Sequence, residues 1–286
     1  MSSIRILDGA MGTELIAKGC RLPNFIWSAD TNITNPNLVY EIHRKYIDAG
    51  ADYITTNTFR TTSRSFLKTG CTLEESKKNA LLSLNNALEM AQKAKKYHDV
   101  QILASIAPLE DCYIPEKYPG DEVANYEFTE LSNHLMNQKI DGFILETMNN
   151  ISETIACLKI ISEFNLPIWL SFNLLDSTHL LSGENIDKAI QSVSPYPVDA
   201  LLLNCNSIKD TLPALETIKK NWKKEWGVYP NLGLGKPSPD GIIENFSSTD
   251  NLLELSEKAV ELGASILGGC CGSNAEHIQS LVNKFK

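Results

Sequence analysis

Three cysteines lie where predicted strands end, which is where many enzymes carry their chemistry. Cys205 closes the run ALLLNC, and Cys270 and Cys271 follow a later strand in the run ILGGCCG. Adjacent side chains on a regular strand point to opposite faces, so Cys270 and Cys271 could not share a ligand there. The glycines around the pair allow the chain to turn and bring both sulfur atoms to one side.

Three thiolates without a fourth protein ligand are typical of a zinc site with an open coordination position. Soft sulfur ligands also favour zinc over magnesium or calcium. The alternative is that the three cysteines are small buried hydrophobic residues, and spacing alone leaves the two interpretations evenly balanced. Among the other cysteines, we expect Cys157 to lie in the core, whereas Cys112 follows the third strand near the presumed mouth of the fold.

Composition limits the classes of function. The chain has 286 residues, of which 43% are hydrophobic, and its net charge is −9. A negative field of this size argues against a general nucleic-acid binder or a protein that binds anionic membranes. We find no apolar run long enough to span a bilayer and no signal-peptide segment. Seven cysteines, an odd number, indicate a reducing compartment. We therefore expect a soluble cytoplasmic protein.

Eight short apolar runs, each followed by a helical pattern, position these residues. The runs are 4–7, 52–58, 101–107, 142–146, 167–173, 200–204, 227–230 and 264–267. Continuous apolar runs are typical of parallel strands covered on both faces. The pattern predicts an α/β fold, a (β/α)₈ TIM barrel forming a single domain over residues 1–286. An open doubly wound sheet is the alternative, but no glycine fingerprint follows the first strand.

With these residues in place, the sequence resembles the homocysteine S-methyltransferase family along essentially its whole length. The matching motifs are ILDGAMGTEL at 6–15, HRKYIDAGADYITTNTF at 43–59, ILET at 144–147, LLLNC at 201–205, VYPNLG at 228–233 and ILGGCCG at 266–272. The resemblance implies a Zn²⁺ cofactor held by Cys205, Cys270 and Cys271, through which these residues would act in catalysis.

The resemblance also implies a homocysteine site. Asp8 and Glu146 would accept hydrogen bonds from the ammonium group, and the backbone N–H groups of Gly9 and Ala10 would meet the carboxylate. Read without the family, Asp8 could instead cap the short helix that follows it, and Glu146 could pair with a backbone group or a lysine. Two asparagines at strand ends, Asn57 and Asn231, are further candidates for orienting the substrate.

The activity implied is methyl transfer to the thiol of homocysteine, giving methionine, with S-methylmethionine or a related sulfonium as the donor. The loop after the third strand reads SIAPLEDCYIPEKYPGDE, whereas many members carry a Gly-Pro-Tyr-Gly-Ala type of loop there. The donor therefore stays open, and betaine, folate or a methyl-corrinoid on a separate corrinoid protein are alternatives. A non-catalytic zinc- or thiol-binding barrel is another. Four aromatic residues in the mouth loops could surround a small cationic donor, namely Trp27, Phe59, Tyr113 and Tyr118.

Overall fold

The strands form a nearly closed parallel barrel, as the sequence predicts. The computed structural model describes residues 3–234 and 245–286. The strands are β1 Arg5–Ile6, β2 Tyr53–Thr55, β3 Gln101–Ile106, β4 Gly142–Met148, β5 Ile168–Phe172, β6 Ala200–Ser207, β7 Glu225–Asn231 and β8 Ile266–Leu267. Their order is β1-β8-β7-β6-β5-β4-β3-β2. A bridge between Leu7 and Tyr53 joins β1 to β2, and so the outermost strands of this order meet.

Helices follow the strands and cover the outside of the barrel. They are α1 Met11–Ala17, α2 Ala29–Thr34, α3 Pro36–Asp48, α4 Ser63–Leu67, α5 Leu73–Lys95, α6 Asp121–Met136, α7 Ile151–Ile161, α8 Ile186–Val193, α9 Ile208–Asn221, α10 Thr249–Glu261 and α11 Ala275–Phe285. The periodicity predicts the long helices but not α2 and α4, which are too short to show a periodic apolar face. Within the described residues, no helix combines the length and apolar character required to cross a membrane.

Two packing layers hold the barrel together. Inside it, the side chains of Leu103, Ile144, Trp169, Leu202 and neighbouring strand residues form one buried cluster. A larger cluster lies between the strands and the helices, and it includes the fully buried Cys157 of α7. The prediction that Cys157 is a core residue is therefore confirmed.

Aspartates at the amino ends of alternate strands extend the hydrogen-bond ladder. Asp52 accepts a hydrogen bond from the Ile6 backbone N–H at 2.7 Å. Asp141 accepts one from Ile102 N–H at 2.7 Å, and Asp199 accepts one from Ile168 N–H at 2.8 Å. Each carboxylate therefore satisfies a backbone donor of the preceding strand at the end of the barrel opposite the cysteines.

Candidate functional site

The structure brings the three cysteines together at the carboxyl ends of β6 and β8. The sulfur atoms of Cys205, Cys270 and Cys271 all lie within 4.8 Å of one another, and the Cys205 and Cys271 sulfurs are 3.7 Å apart. Zinc–sulfur bonds of ~2.3 Å in a tetrahedral site place the sulfur atoms about 4 Å from one another. The donor set and its spacing therefore suit a zinc ion, with three protein ligands.

Two strand ends depart from regular β geometry to aim side chains at the site. The register shifts between Leu145 and Met148 of β4 and between Asn204 and Ser207 of β6. Thr147 and Cys205 lie in these irregular segments with φ of 52° and 56°, a conformation that costs non-glycine residues energy and is often found at functional sites. The bend at Cys205 allows it and its neighbour Asn204 both to line the same cavity.

A cavity of about 540 Å³ opens above the sulfur cluster. Every candidate site residue from the sequence lines it, that is Asp8, Gly9, Ala10, Asn57, Glu146, Cys205, Asn231, Cys270 and Cys271. Of the four predicted mouth aromatics, Trp27, Phe59 and Tyr113 also line it. Tyr118 is not among the lining residues, and its hydroxyl donates to Asp121 at 2.7 Å.

Two carboxyl groups lie in the cavity wall, those of the buried Asp8 and the partly buried Glu146. Asp8 accepts hydrogen bonds from the Thr55 backbone N–H at 2.8 Å and from the Thr55 hydroxyl at 3.2 Å. Burial raises the pKa of Asp8 well above its usual value, and the nearby charge of Glu146 adds to the shift. The alternative that Asp8 caps α1 is wrong, because α1 begins after Ala10 and has no side-chain cap.

Glu146 is held by hydroxyl groups rather than by a lysine or a backbone group. Ser105 donates a hydrogen bond to one carboxylate oxygen at 2.5 Å, and the Tyr229 hydroxyl lies 3.5 Å from the other. Burial raises the pKa of Glu146 to about 7, although both hydroxyls act in the opposite direction. Near neutral pH this carboxyl group is therefore partly protonated, and a cationic partner would favour its charged form.

The turn that follows Asp8 is fixed from two sides. The Tyr46 hydroxyl of α3 donates to the Ala10 carbonyl at 2.8 Å, and the Ala10 N–H donates to the Ser273 hydroxyl at 3.0 Å. A Cβ atom at Gly9 would lie 2.7 Å from the Tyr46 ring, which explains the glycine. The Ala10 N–H, which the family resemblance assigns to the substrate carboxylate, thus already has a partner in this structure.

The asparagines differ in how much of their hydrogen-bonding capacity is already used. Asn57 donates to the Ser28 carbonyl at 3.0 Å and to the Asn32 side chain at 2.8 Å, and accepts from the Ser28 hydroxyl at 2.6 Å. Its amide therefore connects the segment after β2 to helix α2. Asn231 accepts from the Gly233 N–H at 2.7 Å.

Asn204 lines the cavity, although it is not among the site residues predicted from the sequence. Its oxygen accepts from the Thr147 N–H at 3.0 Å and from the Ser171 hydroxyl at 2.7 Å, which links the two irregular strand ends. Its buried Nδ2 has no hydrogen-bond partner within the described part of the chain. Its position before Cys205 at the end of β6 is the signal that could have identified it.

The loop after β3 covers one side of the sulfur cluster. Cys112 in this loop is buried, and burial raises the pKa of its thiol to about 12, so it stays protonated. The next residue, Tyr113, is half exposed, yet its hydroxyl lies 3.1 Å from the Cys205 sulfur. The loop that departs most from the family pattern therefore reaches the cysteines directly.

Comparison with known proteins identifies relatives over nearly the whole chain. The family model described as homocysteine S-methyltransferase matches residues 5–285. The homocysteine S-methyltransferase of Escherichia coli is 29% identical, and the match covers 97% of this chain and 94% of the relative. Homocysteine S-methyltransferase YbgG of Bacillus subtilis is also 29% identical, over 96% of this chain and 92% of its own.

Solved structures of a homocysteine methyltransferase superpose on nearly the whole chain. The metallated form of the homocysteine methyltransferase MmuM from Escherichia coli superposes with a TM-score of 0.85 at 26% identity, covering 99% of this chain and 96% of that one. The apo form of the same protein gives a TM-score of 0.77 at 25% identity over the same shares of the two chains.

Proposed function

Since the chain belongs to the homocysteine S-methyltransferase family, we propose that it transfers a methyl group from a sulfonium donor, S-methylmethionine or a close relative, to homocysteine, with zinc at Cys205, Cys270 and Cys271. The observation that carries the proposal is the convergence of three sulfur atoms within 4.8 Å at a cavity that the carboxyl groups of Asp8 and Glu146 line.

Zinc, when bound, would favour the thiolate form of an incoming thiol, whose pKa is otherwise ~8.5. The three cysteines would hold the ion and leave room for that sulfur. The remaining residues have to position the substrate, because transfer requires the sulfur, the methyl carbon and the leaving group to lie in line.

Asp8 and Glu146 are suited to bind the ammonium group of homocysteine. Thr55 orients the first carboxylate, and Ser105 orients the second. Desolvation raises the pKa values of both carboxyl groups. An ammonium group would stabilise both in their charged form. The N–H of Gly9, in the turn fixed by Tyr46, is the backbone donor proposed for the carboxylate, and Asn57 and Asn231 are proposed to shape the surrounding wall.

A cationic donor fits the charges around the cavity mouth. Trp27, Phe59 and Tyr113 offer aromatic faces, which attract cations. Three positive side chains line the cavity. Arg60 donates to two loop carbonyl groups and Lys68 pairs with Glu110, while Lys117 is exposed to solvent. On transfer the donor's carbon–sulfur bond breaks, its electron pair stays on the donor sulfur, and the sulfonium becomes a neutral thioether. The step therefore needs no general base.

We further propose that residues 1–286 form one homocysteine-binding barrel domain and that the protein works in the cytoplasm. The second proposal rests on the chemistry of the site. All seven cysteines are free thiols in the structure, and the three that would hold zinc must stay reduced to do so, which a reducing compartment favours.

Turnover of homocysteine with a panel of methyl donors tests the proposed activity. We expect methionine with S-methylmethionine and little or none with betaine, methylfolate or free methylcobalamin. Cys271→Ala should abolish turnover and zinc binding, whereas Cys20→Ala, a partly exposed cysteine outside the cavity, should retain both.

Full turnover by Cys271→Ala would refute the role of the metal. Activity only when a methyl-corrinoid protein is added would refute the sulfonium donor. Zinc and homocysteine binding without turnover with any donor would indicate a non-catalytic barrel.

A further inference from the structure

Tyr113 makes a contact that the proposed roles do not use. Its hydroxyl oxygen lies 3.1 Å from the sulfur of Cys205, and its ring lines the cavity. Cys205 is the one candidate ligand contributed by a strand distant in sequence from the Cys270–Cys271 pair. Tyr113 therefore contacts the sulfur cluster at the ligand that β6 contributes.

The chemistry of the two groups fixes the direction of this hydrogen bond in the metal-bound protein. A cysteine that binds zinc is a thiolate, which has no proton and acts only as an acceptor. The Tyr113 hydroxyl must then be the donor. Hydrogen bonds to charged acceptors are among the stronger ones in proteins.

The loop that carries Tyr113 is fastened by buried groups just before it. Arg60 donates to the Pro108 carbonyl at 2.9 Å, and Leu109 N–H donates to the buried carboxylate of Glu153 at 2.7 Å. Asn149 donates to the Cys112 carbonyl at 2.9 Å. With its preceding residues fixed in this way, the tyrosine is placed over Cys205 by the fold rather than by a chance orientation of an exposed side chain.

We propose that Tyr113 is a positioning residue that donates a hydrogen bond to the Cys205 thiolate and thereby sets how firmly this ligand holds the metal. The inference rests on the proposed metal site. The hydrogen bond stabilises the negative charge on the sulfur atom through which this residue would hold the metal. Removing the hydroxyl should weaken metal binding and should raise the energy of the sulfur lone pairs.

Tyr113→Phe tests this proposal with Tyr118→Phe as the matched control, because Tyr118 lies in the same loop and donates to Asp121 instead. Each purified protein would be loaded with Co²⁺ in place of zinc. Chelator competition would give the metal affinity, and absorption would give the energy of the sulfur-to-cobalt charge-transfer band. Circular dichroism would check that each variant is folded.

For Tyr113→Phe we expect metal binding about tenfold weaker, the size of one hydrogen bond to a charged group. The charge-transfer band should move to lower energy, while Tyr118→Phe matches the wild type in both measurements. An unchanged band in folded Tyr113→Phe would overturn the inference, whether or not affinity falls, because a purely structural role would leave the band in place. Absence of metal from the wild-type protein would instead overturn the proposed metal site itself.

Discussion

Glu146, which we propose binds the substrate, illustrates how such a group can destabilise the protein that carries it. Its carboxyl group is buried beside Ser105 and Tyr229, and its pKa rises from 4.5 to about 7 because burial disfavours the charge. The folded state therefore binds a proton more tightly than the unfolded state does. Stability contributed by this group is greatest below pH 4.5 and is lost as the pH rises through about 7. The ammonium group of the substrate would compensate for the buried charge.

Glu146→Gln should consequently stabilise the substrate-free protein and weaken substrate binding. At pH 8 we expect an increase in the free energy of unfolding of about 1–3 kcal/mol, shrinking towards zero at pH 5, because the amide removes the buried charge. The KM for homocysteine should rise at least tenfold, since a hydrogen bond to a charged group is lost. Thermal melts at both pH values and steady-state kinetics measure these effects.

The matched control for this variant is Glu254→Gln, at an exposed position of α10, which should change neither quantity. A loss of stability at pH 8 in Glu146→Gln, or an unchanged KM for homocysteine, would contradict the role assigned to this carboxyl group.

At the scale of the elements, the sequence predicts what depends on apolar pattern and not what depends on local backbone distortion. The eight strands and the long helices follow from their apolar runs, and the positions of the cysteines at strand ends follow from those strands. The left-handed conformations of Thr147 and Cys205 could not be predicted, because nothing in the residue types of these strand ends favours positive φ.

The asparagines are a second example of a feature that the sequence does not predict. Asn57 follows β2 and Asn204 lies near the carboxyl end of β6, and their residue type is identical. Only the structure shows that the first is fully engaged with Ser28 and Asn32, while the second keeps an unpartnered Nδ2 within the described part of the site. Which donors remain free depends on neighbours distant in sequence, and a single sequence does not reveal them.

Helix α3 affects the site through one hydroxyl group, and this can be tested. Tyr46→Phe removes the hydrogen bond to the Ala10 carbonyl and leaves that buried group without its donor. We expect a loss of stability of about 1–3 kcal/mol, together with a several-fold rise in the KM for homocysteine, because the turn at Gly9 is no longer fixed. Tyr40→Phe in the same helix lies in a partly exposed position outside the cavity lining and should affect neither. Equal behaviour of the two variants would show that α3 does not position the turn.

At the scale of the whole molecule, the candidate site and the aspartates that complete the strand hydrogen bonding lie at opposite ends of the barrel. The cysteines, Asp8 and Glu146 gather at the carboxyl ends of the strands, which is where barrel enzymes place their active sites. At the opposite end, Asp52, Asp141 and Asp199 each accept a backbone hydrogen bond from the preceding strand. Changes at this end should therefore alter stability without altering catalysis.

Asp199→Ala tests this division. It leaves the N–H of the buried residue Ile168 without an acceptor, so we expect the free energy of unfolding to fall by about 1–3 kcal/mol. The kcat and KM of the folded enzyme should stay at their wild-type values. Asp99→Ala, an exposed aspartate just before β3, should leave stability unchanged as well. A fall in kcat of Asp199→Ala at a temperature where it is fully folded would show that the two ends are coupled.

We propose that three cysteines hold a metal ion and leave a place for the thiol of the substrate. X-ray absorption spectroscopy of the zinc-loaded protein, with and without homocysteine, tests this proposal because it counts the sulfur atoms bound to zinc. We expect three sulfur ligands in the free enzyme, from Cys205, Cys270 and Cys271, and a fourth when homocysteine is added. Fewer than three sulfur ligands, or no increase with saturating homocysteine, would contradict it.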